Sequence, residues 1–256
     1  MVVHYAKSGK GAPGKKPDFQ EFLFISDIDT NNTAYKMAGR LLKSWRRNDE
    51  GAWEIGLTNE DVLIIMDKVR QKIKNEYKKE IEIGVDVASS SFYKNGNYIY
   101  KNPEVKLDKK HQILYVKELI IRYNLFYVED PLDESDFLGF REILIDIGKS
   151  KNNCFIVGDD LTTTNPLRLK KAIKSKSINA IIVKPNQIGS LLKVKEVIDI
   201  AKKNKVKTII SHRSGETKDN TIADLGVGWN CEFIKTGIYG KVRKAKLKRL
   251  MKIRKN

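Results

Sequence analysis

Six short apolar runs in this 256-residue chain each finish on an ionisable side chain. They close as Val85-Asp86, Val128-Glu129-Asp130, Gly158-Asp159-Asp160, Val183-Lys184, Ser211-His212-Arg213 and Ile234-Lys235. The order carries chemical meaning. Asp86, Glu129 and Asp159 come from three successive runs; held close, three carboxylates repel one another, and a bound cation relieves that repulsion. A ligand set of oxygens alone, without Cys or His, points to magnesium or manganese rather than zinc. Lys184 and Lys235 follow. A lysine near other cations and a metal loses its proton more easily and can act as a base at neutral pH. Arg213, with the Ser214 hydroxyl and backbone beside it, suits a phosphate. A carboxylate-bound metal facing a lysine is what is needed to remove a proton next to a carboxylate and to hold the resulting enediolate.

Those groups work together only if their runs end at one place. The runs are Ile81–Val87, Asn124–Glu129, Cys154–Asp159, Asn179–Lys184, Val206–Ser211 and Glu232–Lys235. Continuous apolar runs, rather than alternating ones, suit strands buried on both faces of a parallel sheet. Helical segments separate them. Residues 59–77 place Val62, Ile65, Met66, Val69 and Ile73 on one stripe, with Thr58 and Asp61 spaced as a capping box. Asp108, Asn165 (followed by Pro166) and Ser190 stand where further helices begin. Strand–helix alternation means parallel βαβ units, either in an open doubly wound sheet or in a closed barrel. Two earlier runs, Val2–Tyr5 and Phe22–Ile25, bring the set to eight, which favours an α/β barrel of one domain with its ionisable strand ends at a single mouth. The Gly-, Pro- and Lys-rich stretch Lys7–Lys16 reads as a mobile loop.

With 41% hydrophobic residues the chain can bury a full core, and its formal net charge of +17 favours anionic partners. Two cysteines, Cys154 and Cys231, are no disulfide framework, and Cys154 in its apolar run reads as a reduced core residue. The start, Met1-Val2-Val3-His4-Tyr5, lacks the pattern of a signal peptide, and no stretch approaches the ~18 apolar residues of a membrane span. A soluble, cytoplasmic protein without a membrane partner is the expectation. From Ile238 to Asn256 there is no acidic residue and nine are Lys or Arg. That segment reads as a terminal helix packed on the barrel through Leu247, Leu250 and Met251 with a solvated basic face, or as a docking tail for nucleic acid or an acidic partner.

The motifs Ser211-His212-Arg213-Ser214-Gly215-Glu216-Thr217, Gly158-Asp159-Asp160-Leu161-Thr162, Val128-Glu129-Asp130-Pro131, Lys184-Pro185-Asn186-Gln187-Ile188-Gly189 and Ile234-Lys235-Thr236-Gly237 closely resemble those of enolases. So do Asp18-Phe19-Gln20-Glu21-Phe22, Asn48-Asp49-Glu50-Gly51 and Gly84-Val85-Asp86-Val87-Ala88-Ser89-Ser90. The resemblance implies a TIM-type barrel of the enolase kind, with two strands and two helices before regular βα units. It would span residues 1–237, with 238–256 as the basic C-terminal helix or tail. It implies a hydro-lyase of glycolysis and gluconeogenesis converting 2-phosphoglycerate to phosphoenolpyruvate. Asp86, Glu129 and Asp159 would bind Mg2+, Lys184 would take the C2 proton, and Lys235 would help stabilise the enediolate. Glu50 with Glu21 would assist departure of the C3 hydroxyl, Arg213, Ser214 and Gln20 would hold the substrate, and His212 would help close the site. The chain departs from the family pattern where an N-terminal domain and a histidine-bearing loop are usual, at Pro185 after the lysine base, and at Ser91 where glutamate is frequent. The resemblance therefore allows a separate N-terminal-domain protein or a second copy as partner. It also allows a paralogue without this catalysis, or with another substrate, whose basic surface binds nucleic acid or an acidic protein.

Overall fold

The computed structural model describes residues 2–7, 16–42, 47–48, 51–150 and 152–254. Eight strands close a ring: β1 (Val2–Lys7), β2 (Glu21–Ile25), β3 (Glu82–Asp86), β4 (Tyr127–Glu129), β5 (Phe155–Gly158), β6 (Ala180–Val183), β7 (Lys207–Ser211) and β8 (Phe233–Thr236). The seam pairs β8 with β1, Lys235 opposite Val2 and Thr236 opposite Val3. β2 runs antiparallel to β1 and β3, and the remaining pairs are parallel. The helices Ile28–Leu42 and Asn59–Tyr77 both lie between β2 and β3, so the barrel opens with two strands and two helices before regular βα units begin. The closed barrel, not the open sheet, is the architecture.

Strand parity divides the apolar residues. Phe22, Phe24, Ile83, Val85, Val128, Ile156, Ile181 and Val183 point outward into the layer shared with the helices. Leu23, Ile25, Tyr127, Val157, Ala180, Ile182 and Ile209 fill the barrel interior. Side chains alternate along a strand. Glu21, Glu129, Asp159 and Lys184 therefore share the inward parity of Leu23, Tyr127, Val157 and Ile182, one step nearer the mouth. Gly84 is required here, because a Cβ would stand 2.7 Å from the Tyr127 Cβ.

The helix signals are present where the sequence placed them. Thr58 and Asp61 form the capping box, Asp108 and Ser190 accept from backbone N–H groups, and Asn165 caps a helix whose first residue is Pro166. The run from Asn124 becomes a strand only at Tyr127, since Asn124, at φ 45°, turns the chain out of the preceding helix. A three-stranded antiparallel sheet (Tyr93–Lys94, Asn97–Lys101, Glu104–Asp108) and a two-residue strand at Trp53–Glu54 beside β1 were not anticipated. The Lys7–Lys16 loop falls largely outside the described residues. Cys154 is buried, and burial pushes its thiol far above the ordinary range. In the last helix, Gly240–Arg254, Leu247 is buried and Leu250 packs against the core, whereas Met251 is exposed. Among the described residues no helix is long and apolar enough to cross a membrane.

Candidate active site

Register aligns the acids before any side chain is considered. Glu21 stands opposite Asp86, Asp86 opposite Glu129, and Glu129 opposite Val157, two residues before Asp159. Neighbouring strands lie about 4.8 Å apart, so three inward carboxylates of matched register must share one patch. Across the ring, Ser211 pairs with Lys235. The Lys235 ammonium, with its residue only 3% exposed, reaches Glu129 at 2.6 Å and Glu21 and Asp86 at 3.0 Å each. Lys184 pairs closely with Asp159. Gln20 donates to Asp86 Oδ2 at 3.3 Å, and the Tyr127 hydroxyl donates to Glu129 Oε2.

Pro185, unusual after such a lysine, is accommodated. It occupies the first position of a helical turn, Pro185–Ile188, where a missing N–H is harmless. It also favours the extended conformation that Lys184 adopts (φ −116°, ψ 100°), which keeps the lysine on the strand's parity. The Lys184 N–H donates to Thr164 Oγ1 at 2.9 Å, and that hydroxyl donates to Gln187 at 2.8 Å.

Burial dominates the electrostatics of the acids. It raises the Asp86 carboxyl against the pull of Lys235, and with Asp86 nearby it lifts Glu129 well above the carboxylate range. Burial and Asp159 lift Asp130 likewise, and the same pair pushes Asp160 up to about 6. For Lys184, burial opposes the charge, but Asp159 prevails and the ammonium is held above its ordinary value. Lys235 is held still more strongly, with Asp86, Glu129 and Glu21 outweighing burial. Lys184 is thus the ammonium paired with Asp159, and Lys235 the one shared by Glu21, Asp86 and Glu129.

A metal ion fits this place. Carboxylate oxygens of Glu129, Asp130 and Asp159 lie within 4.8 Å of one another. Glu129 Oε1 and Asp159 Oδ1 are buried without a hydrogen-bond partner. Buried carboxylate oxygens lacking donors are costly, and a hard cation supplies what they lack. Asp130 is partly committed elsewhere: its two oxygens accept from the backbone N–H groups of Asp159 at 3.1 Å and Asp160 at 2.7 Å. Asp86 sits beside Glu129 with Lys235 bridging the two.

One cavity of about 220 Å³ gathers Gln20, Glu21, Asp86, Lys184, His212, Arg213, Ser214 and Lys235. Glu129 and Asp159 lie buried against this set. His212 is buried, and its backbone N–H donates to the Lys235 carbonyl at 3.2 Å. Glu50 lies outside the described residues. Sequence reasoning gave no role to Asp130, Asp160, Tyr127, Thr164 or Gln187. The acid pairs Glu129-Asp130 and Asp159-Asp160 were the available signal. Asp130, in the left-handed region at φ 43°, turns its carboxylate under the next strand's loop rather than merely ending a strand.

Residues 13–256 match the family described as enolase, C-terminal TIM barrel domain. The enolase of Pyrobaculum aerophilum is 40% identical over 259 residues, covering 96% of this chain and 61% of that protein. That of Picrophilus torridus is 40% identical over 247 residues (91% and 60%), and that of Methanosphaera stadtmanae 40% over 261 residues (96% and 62%). The chain thus spans about 61% of the length of the Pyrobaculum relative. With a match across nearly all of its residues, the chain belongs to the enolase C-terminal TIM barrel family.

Proposed function

We propose that this chain is the catalytic barrel of a hydro-lyase that converts 2-phosphoglycerate to phosphoenolpyruvate and water with Mg2+. The observation that carries the reading is the placement of Lys184 and Lys235 on opposite flanks of the Asp86, Glu129 and Asp159 carboxylates, with Arg213 and Ser214 over the same cavity. Asp86, Glu129 and Asp159 would hold the metal, which supplies positive charge for a substrate carboxylate and for the charge that builds up when the adjacent carbon loses its proton. Lys184, released from its ion pair once the carboxylates are otherwise compensated, takes that proton at Nζ. Lys235 keeps its proton and stabilises the enediolate. Glu21, with Glu50, protonates the departing C3 hydroxyl, which leaves as water. Arg213, Ser214 and Gln20 orient the substrate, and His212 narrows the entrance. The test is phosphoenolpyruvate formation from 2-phosphoglycerate with magnesium, beside a Lys184→Ala control. Turnover lost in the control supports the reading; equal turnover in both sinks the base.

A second reading has its own observation. Lys241, Lys244, Lys248 and Lys252 form an exposed stripe on a helix without an acidic residue, which suits a phosphate backbone. Salt-sensitive binding of RNA, unchanged on loss of Asp86, would favour it; no binding at low salt would end it.

A further inference from the structure

The segment from Arg213 to Asp219 carries both residues read as phosphate ligands, yet it contains neither helix nor strand. Arg213, Ser214, Gly215, Thr217, Lys218 and Asp219 are exposed. Its anchorage comes from helix Gly240–Arg254. Arg243, 3% exposed, donates from Nη1 to the Arg213 carbonyl at 3.2 Å and from Nη2 to the Ser214 carbonyl at 3.1 Å. Three residues on, Lys246 is fully buried. It donates to the carbonyls of Thr217 at 2.7 Å and Asp219 at 2.6 Å, and meets the Glu216 carboxylate at 2.5 Å. An ammonium has three donors, and these three acceptors account for them.

We infer that Arg243 and Lys246 are positioning residues that set the 213–219 backbone so that Arg213 and Ser214 face the cavity and present themselves to an anionic group. Neither residue lines the cavity, so both act through the loop. Buried cations keep their partners because losing them costs a full desolvation. Two such cations at four carbonyls leave the loop few alternative shapes. They also turn the carbonyl oxygens of Arg213 and Ser214 toward the helix, where they do not oppose an anion. This inference rests on the phosphate reading of Arg213 and Ser214.

The full chain, with Lys246→Met, Arg243→Gln, Arg243→Lys and Arg213→Ala variants, decides it. Inorganic phosphate is titrated by calorimetry with magnesium present, and amide hydrogen exchange is followed over residues 211–220. We expect Lys246→Met and Arg243→Gln to weaken phosphate binding at least tenfold and to speed loop exchange as much, with exchange in β4 and β5 unchanged. Arg243→Lys, which keeps the charge, should stay within threefold. Loop exchange and phosphate affinity within twofold of the parent in both variants would overturn the inference. If Lys246→Met fails to fold, Arg243→Gln alone decides. If the parent binds no phosphate and Arg213→Ala behaves the same, the phosphate reading falls. Loop exchange then still decides whether the helix holds the loop, and unchanged exchange overturns the inference.

Discussion

On the side of the mouth formed by β2, β3 and β4, the ionisable groups are placed by register. Glu21, Asp86 and Glu129 are cross-strand partners, and each is buried. On the side of β7, Arg213 and Ser214 stand exposed on an irregular segment that a helix more than twenty residues downstream holds by its carbonyls. The acidic side is therefore as rigid as the barrel, because moving one carboxylate means breaking a strand pair. The cationic side is only as rigid as its contacts with the last helix. A site divided this way can hold a metal in a fixed place and still adjust its grip on a bulky anion.

The largest expected effect tests the boundary between the sides. Lys184→Ala should cut turnover by about 10²–10⁴-fold while leaving the circular dichroism spectrum unchanged. Loss of the fold instead would mean that Lys184 mainly neutralises Asp159. Next comes Lys235→Met, which leaves three buried acids without their shared ammonium. Urea unfolding without divalent cations should show a loss of about 3–5 kcal/mol. A loss below ~1 kcal/mol would show that the acids protonate freely and that register alone keeps them together. Gly84→Ala drives a Cβ into Tyr127 in the barrel interior and should cost about 1–3 kcal/mol by the same measurement. Smallest is Thr58→Ala, which removes a cap remote from the mouth. A loss of about 1 kcal/mol with turnover unchanged is expected; altered turnover would mean that the helix Asn59–Tyr77 bears on the site.

The acidic side was legible in the sequence because parallel strands buried on both faces read as unbroken apolar runs, and a charge ending such a run is conspicuous. Asp86, Glu129, Asp159, Lys184 and Lys235 were all found that way. Caps at Thr58, Asp108 and Asn165 were equally plain, since each is a local bond between near neighbours. The rest depends on partners distant in the chain. Arg243 and Lys246 looked like members of a solvated basic tail, because their carbonyl partners lie 27–30 residues upstream. Asp130 read only as a further charge at the end of its run, since its partners are backbone N–H groups 29 and 30 residues away. The small antiparallel sheet escaped notice because its strands are short and partly exposed, Ile99 and Val105 among them, so no apolar run marks them.

In the proposed mechanism Lys184 acts as a base beside a cation held by the strand-end carboxylates. Exchange of the C2 hydrogen of 2-phosphoglycerate with deuterium oxide, followed by NMR in the presence of magnesium, tests it most directly, because it reads proton removal alone. The parent chain should exchange that hydrogen and Lys184→Ala should not. Exchange at equal rates in both, or none in a parent chain that binds magnesium and substrate, would contradict the claim.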